Sequence, residues 1–174
     1  NSDVVPVLVT FTLAHTRGDR LPVVLGAILA AYRRMKSGRW WKEFQARYQV
    51  IGSVRGLETT FGENAWHPHL HCLFFFKRGV SLASIESELK ARWSSALGKE
   101  KRGASLARGV TVKFADADIA GYISKLGAEN VVVNKWTLAH EISKAVVKVS
   151  KQNGKTPMQL LAEYANGNKK SGHR

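Results

Sequence analysis

Apolar and β-branched residues crowd positions 4–15, "VVPVLVTFTLAH", a run that predicts a first strand. From Leu21 to Ser37 the period lengthens: Leu21, Val24, Leu25, Ile28, Leu29 and Tyr32 recur at helical spacing, so this segment predicts a helix with one apolar side. "SGRWWKEFQARY" then breaks or bends it. Two long strands are predicted over 48–61 and 66–77, separated by "GENA", whose Gly and Asn suit a four-residue hairpin loop from Gly62 to Ala65. Positions 81–97 return to the helical period, with Ser81 or Ser84 as the cap. A loop rich in Gly, Lys and Arg follows, then a fourth strand over 110–115. A short helix over 116–127 starts with acidic residues and closes at Gly127.

The order β-α-β-β-α-β-α predicts an α+β fold of the ferredoxin-like, split β-α-β kind. Its antiparallel sheet would carry helices on one face and leave the other open. Residues 1–135 are read as the core, and 136–174 as a C-terminal helical extension with a basic tail, part of the same domain.

Composition narrows the partners. The chain has 174 residues, enough for one domain with a sizeable core. No run approaches the ~20 apolar residues of a membrane span, and "LPVVLGAILAAYRRMK" is too short and ends basic. The opening "NSDVV" lacks a Met and a signal-peptide pattern and reads as a piece of a longer protein rather than the start of a secreted one. A single cysteine, Cys72, excludes an internal disulfide and a cysteine-rich zinc knuckle, so a reducing, cytoplasmic setting is expected. A net charge of +14, from 27 Lys and Arg against 13 Asp and Glu, favours a polyanionic partner. Nucleic acid ranks ahead of an anionic membrane surface, because no basic amphipathic segment carries an aromatic anchor face.

The chemistry concentrates in "WHPHLHCLFFF", where His67, His69 and His71 alternate. Side chains on a strand alternate between faces, so the three imidazoles share one side while Pro68, Leu70, Cys72, Phe74 and Phe76 supply core on the other. With Phe61 opposite Trp66 across the hairpin, Glu58 falls opposite His69, Gly56 opposite His71 and Thr60 opposite His67. Glu58, His69 and His71 then form a three-point metal-ligand set with room left for substrate oxygen and water. The plainer alternative is a set of half-buried histidines satisfied by backbone partners. His67, nearer the hairpin end, is read as a supporting or DNA-contacting group.

"DIAGYISKLGAE" supplies a second cluster, with Tyr122 and Lys125 three apart and Asp118 and Tyr122 four apart on one predicted helix. A tyrosine of pKa about 10 needs a cation or base to act as a nucleophile at neutral pH. A lone helical tyrosine is otherwise a packing residue.

Taken together, "VTFTLAH", "ETTFGENAWHPHLHCLFFF" and "AGYISK", in that order, resemble the three motifs of the HUH endonuclease superfamily. Within it, the chain resembles plasmid rolling-circle replication initiators with one active-site tyrosine. The resemblance covers most of the chain and implies that 1–135 is the catalytic core. It implies a divalent ion, Mn2+ or Mg2+, on His69, His71 and Glu58, and metal-dependent nicking and joining of single-stranded DNA at a plasmid origin, where a hairpin is expected. Tyr122 would attack and keep the 5′-phosphate, leaving a free 3′-hydroxyl for a polymerase. Lys125 would position phosphate or help the tyrosine deprotonate. Asp118 stands where similar initiators often carry a longer glutamate that activates water for the terminating cut. No second tyrosine neighbours Tyr122, so a two-tyrosine route would need a second protomer. No Gly-x-x-x-x-Gly-Lys loop occurs, so a helicase must come from the bacterial host, like the polymerase.

Single strands expose their bases to stacking aromatics and their backbone to cations. Arg39, Trp40, Trp41 and Lys42, with Trp66 and His67, are the DNA-binding candidates, although packing at a helix end is favoured for at least one of the two tryptophans of the Trp40–Trp41 pair. Arg55 has the wrong parity to share Glu58's face. Lys99, Lys101, Arg102 and Arg108 line a loop that would grip phosphate or simply be solvated. Relaxases and single-strand transposases share this chemistry, and a non-catalytic nucleic-acid binder with a structural ion is the alternative of a different class.

Overall fold

A computed structural model describes residues 3–63, 65–100, 102–103, 109–115 and 155. Its elements run β1 (Val4–Phe11), α1 (Leu21–Met35), α2 (Gly38–Arg47), β2 (Val50–Gly62), β3 (Ala65–Lys77), α3 (Leu82–Lys99) and β4 (Val110–Phe114). The expected helix over 116–127 and the C-terminal extension lie outside the described residues, Lys155 excepted. Among the described residues no helix is long and apolar enough to cross a membrane.

The four strands form one antiparallel sheet in the order β2-β3-β1-β4. Each crossover, β1 to β2 and β3 to β4, therefore skips one strand, which is the split β-α-β topology that the element order predicts. The architecture is α+β. Several predicted boundaries move by a residue or more, and two of these shifts bear on the site. The first strand ends at Phe11, four residues before the expected end, because Thr12 and Ala14 bond instead to the carbonyls of Gly109 and Gly103 beyond α3. The hairpin loop is two residues rather than four, since Gly62 and Ala65 already pair; the register is the predicted one.

The segment expected to break the first helix does so and then forms a helix of its own. The chain turns at Ser37 and Gly38, where Gly38 takes φ +73°, a conformation that suits glycine. α2 follows with Trp41 and Phe44 buried.

The helices cover one face of the sheet. Parity along β1 and β3 puts Val7, Val9, Phe11, Leu70, Cys72, Phe74 and Phe76 on that face, all of them buried. Against them pack Val24, Ile28, Tyr32 and Met35 of α1 and Ile85, Leu89, Trp93 and Leu97 of α3. Ala27 and Ala31 also lie on the buried side of α1, where small side chains let the helix approach closely. Trp93 is wholly buried and still satisfies its indole N–H, which donates to the carbonyl of Thr12 at 2.7 Å. Cys72 lies at the centre of this core beside the hydroxyl of Tyr32, and burial pushes its thiol up to about 11.

Candidate functional site

On the opposite face, the β2–β3 register sets Glu58 directly across from His69, Gly56 from His71 and Thr60 from His67, as the sequence predicts. The β1–β3 register adds Thr10, directly across from His71. Glycine at position 56 puts no side chain across from His71, and Glu58 reaches that ring from the diagonal position. Its Oε2 lies 2.8 Å from His71 Nε2, and Thr10 Oγ1 lies 3.1 Å from the same ring's Nδ1. His71 is thus held at both nitrogens. Glu58 is only 7% exposed, so its carboxyl group is drawn into the sheet surface, where this contact gives it a polar partner.

The three histidines run in file along β3. Ring centroids of His69 and His71 are 6.1 Å apart and nearly parallel, and those of His67 and His69 are 4.3 Å apart and edge to face. A fourth imidazole joins them. His15, in the loop after β1, turns Nε2 to Nδ1 of His67, with centroids 4.5 Å apart. Burial, then the neighbouring His15 ring, lowers the pKa of His67 and favours its neutral form.

His15 owes its place to the loop that carries it. Asp19 accepts two bonds from Arg102, at 2.7 and 2.8 Å, and others from the N–H and hydroxyl of Thr16. The Arg102 guanidinium, followed by the Thr16 N–H, holds the Asp19 carboxyl well below the usual carboxylate range. Arg17 donates to the carbonyl of Glu63 at the hairpin tip at 2.6 Å, and Ala14 N–H to that of Gly103 at 2.8 Å. Arg102, read from the sequence as a phosphate grip or a solvated loop cation, is committed to Asp19.

The expected metal ligands Glu58, His69 and His71 therefore share one face. Among the described residues no three His, Cys, Asp or Glu groups surround a common metal position. The donor chemistry nevertheless fits a divalent ion. The imidazole nitrogen and carboxylate oxygen, 2.8 Å apart, have about the ~3 Å separation of adjacent donors on an ion with ~2.1 Å bonds. His69 is the next donor along the same face.

The DNA-contact residues expected from the sequence divide. His67 is on the histidine face. Trp41 is 7% exposed and packs on Phe44 and Phe74, so its ring belongs to the core on the helical side. Trp40 stacks on Phe44 at 5.1 Å beneath the guanidinium of Arg92. Arg39 pairs with Glu43, and Lys42 is exposed on the same helix. Trp66 shares Phe61's parity, opposite to that of the histidines, and meets that ring edge to face. Arg55 lies over Tyr32 on the helical side, consistent with its parity. Lys101, Arg108, Asp118, Tyr122 and Lys125 lie outside the described residues.

Sequence reading missed Thr10, His15 and Lys113. Thr10 and Lys113 become visible only once β1 is known to pair with both β3 and β4, which puts the exposed Lys113 across from Leu8 on the histidine face. His15 was present in "FTLAHT" without a periodicity to mark it.

No family model matches the chain, and no solved structure matches it. It is 25% identical over 207 residues to Protein rep of Streptomyces lividans, covering 88% of this chain and 44% of that protein. It is also 33% identical over 91 residues to the Neomycin resistance protein of Streptomyces cyanogenus, covering 38% of this chain and 21% of that one. The chain spans less than half the length of these curated relatives.

Proposed function

We propose that the chain is the nicking and joining core of a replication initiator, an HUH-type endonuclease acting on single-stranded DNA at a plasmid origin to start rolling-circle replication. The observation that carries this reading is the strand register, which brings Glu58 and His71 into contact with His69 beside them on the face left clear by the three helices. The likeness to Protein rep and the net charge of +14 support it.

Glu58, His69 and His71 would hold Mn2+ or Mg2+, which when bound supplies Lewis-acid polarisation of a phosphate. The remaining steps belong to the protein. Thr10 and Glu58 fix the ring of His71 from both sides, and Lys113 gives the face an exposed cation for the DNA backbone. Tyr122 Oη attacks the scissile phosphorus, the bond from phosphorus to the 3′ oxygen breaks, and that oxygen leaves as a hydroxyl after taking up a proton. The 5′-phosphate stays on the tyrosine until a free 3′-hydroxyl, or water activated by Asp118, displaces it. Lys125, three residues along the chain from Tyr122, lowers the cost of the phenolate.

Covalent capture tests the reading. The protein and its Tyr122→Phe variant are mixed with a randomised single-stranded DNA pool and Mn2+, and adducts that survive denaturation are sequenced. Wild type should give adducts that a chelator abolishes, and the variant none. A folded, metal-loaded wild type that forms no adduct would end the proposal in favour of a binding module.

A further inference from the structure

Away from the histidines, the end of β3, the start of α3 and the junction of α2 with β2 enclose a hollow of about 290 Å3. Gly79 takes φ +89° between β3 and α3, so the strand end and the helix start face the same space. Arg47, Lys77 and Arg78 are exposed residues that line it, and among the described residues its lining holds no carboxylate. Glu88, which is not part of the lining, pairs with Nη1 of Arg47 at 2.7 Å and accepts the Tyr48 hydroxyl. A guanidinium has five N–H groups, so Arg47 keeps donors beyond that pair. Backbone bonds fix the other two residues: Lys77 N–H donates to the Gln49 carbonyl at 3.2 Å and Arg78 N–H to the Asp3 carbonyl at 3.1 Å. Ser81 and Ser84 line the remaining side, at the start of a helix whose first turn brings no acidic side chain.

Three like charges around one space repel each other, and an anion between them removes that cost. The volume is close to the ~300 Å3 at which ligand sites begin, enough for a phosphate with its sugar. Six residues of β3 separate His71 from Lys77, which at ~3.3 Å each is roughly 20 Å. One phosphate cannot serve both places. We propose that the hollow is a second DNA contact, in which Arg47, Lys77 and Arg78 grip a backbone phosphate remote from the one cut at the histidine face. At the duplex rise of ~3.4 Å per nucleotide, the two phosphates are about six nucleotides apart. The inference rests on the endonuclease reading for its ligand and adds where the DNA is held outside the cut.

Binding of a labelled DNA hairpin with single-stranded tails, followed by anisotropy over a range of salt, tests the grip. Lys77→Gln/Arg78→Gln should bind about 10-fold more weakly at physiological salt and flatten the plot of log K against log salt by about 1 in slope. Arg33→Gln/Lys90→Gln removes the same charge outside the hollow and should shift affinity less than about threefold, since screening confines a charge's reach to ~8 Å. Equal losses in the two double variants would reduce the effect to net charge and overturn the proposal. Should the first variant not fold, acetylation of wild type decides. DNA should shield Lys77 from the reagent, and a Lys77 modified equally with and without DNA would refute the contact. Shielding by adenosine monophosphate as complete as by DNA, at equal phosphate, would assign the hollow to a free nucleotide and overturn the proposal as well. DNA trimmed to about two nucleotides on either side of the Tyr122 adduct should bind variant and wild type alike. A persistent difference would place the cations at the cut rather than remote from it. Hollow-dependent DNA binding without any Tyr122 adduct would end the endonuclease reading and keep the grip, whereas adducts with an unchanged salt slope would remove the grip alone.

Discussion

Asp19 lies in a loop outside the sheet, yet it determines where His15 stands. Its carboxylate gathers Arg102 from beyond α3 and Thr16 from its own turn, at 2.7 to 3.1 Å. The folded-state pKa is depressed, so this contact stabilises the fold fully above the unfolded carboxylate value of about 4 and is lost as pH falls through and below it. Asp19→Asn should lose about 1 kcal/mol at pH 7, the upper end for a pair that remains partly solvated. Urea melts of wild type and variant should converge as pH drops from 5 towards 2. A constant gap over that range would show that the charge on Asp19 is immaterial. None of this was legible in the sequence, because "HTRGDR" has no period and its partner Arg102 is 83 residues away.

The β2–β3 hairpin was the most readable element. A short turn between two strands fixes the register of everything that follows, and one-residue parity then assigns every side chain to a face. Glu58 was placed opposite His69 by counting alone, and the pairing agrees. The miscounted loop did no harm, because extending the pairing by one residue on each side of the turn leaves the register unchanged. β1 was recognised as a strand, but its neighbours were not, since its pairing with β3 joins segments some 60 residues apart and is fixed by tertiary packing. α2 was read as a break because Gly38 and neighbouring charges obscure the spacing of Trp41, Phe44 and Tyr48. The two tryptophans of α2 should separate in experiment. Trp41→Ala should destabilise the protein by about 3 kcal/mol in urea unfolding, as loss of a buried aromatic does. Trp40→Ala, half-buried against Phe44 and Arg92, should cost about 1 kcal/mol. Equal losses would contradict this placement of Trp41 in the core.

At the scale of the molecule the sheet is a partition. Three helices and the aromatic core occupy one side, while the histidines, Glu58 and Thr10 occupy the other. Alternation along β3 is what makes the two compatible: from His67 to Cys72 the histidines alternate with Pro68, Leu70 and Cys72, and beyond them the histidine face continues as Leu73 and Phe75. The basic charge is a property of the whole chain and said early that the partner is anionic, but it could not say which surface meets it. Lys155 contributes one further tie, a two-way backbone bridge to Phe61 on the outer edge of β2, at 2.5 and 2.6 Å. Among the described residues β2 is an edge strand, and Lys155 pairs part of that edge.

The partition also gives the protein a clock. Cys72 is the chain's single cysteine, lies on a strand with a neighbour on each side, and is shielded to 0% exposure with its thiol raised to about 11. An alkylating reagent at neutral pH meets a protonated, inaccessible sulfur and can modify it only after β3 has parted from the sheet. Labelling of Cys72, followed by mass spectrometry, should therefore proceed at the rate or population of global opening, with the same urea dependence as unfolding itself. Labelling faster than that would reveal a partial opening of the sheet's centre, and every substitution in the histidine face could be timed against the same sulfur.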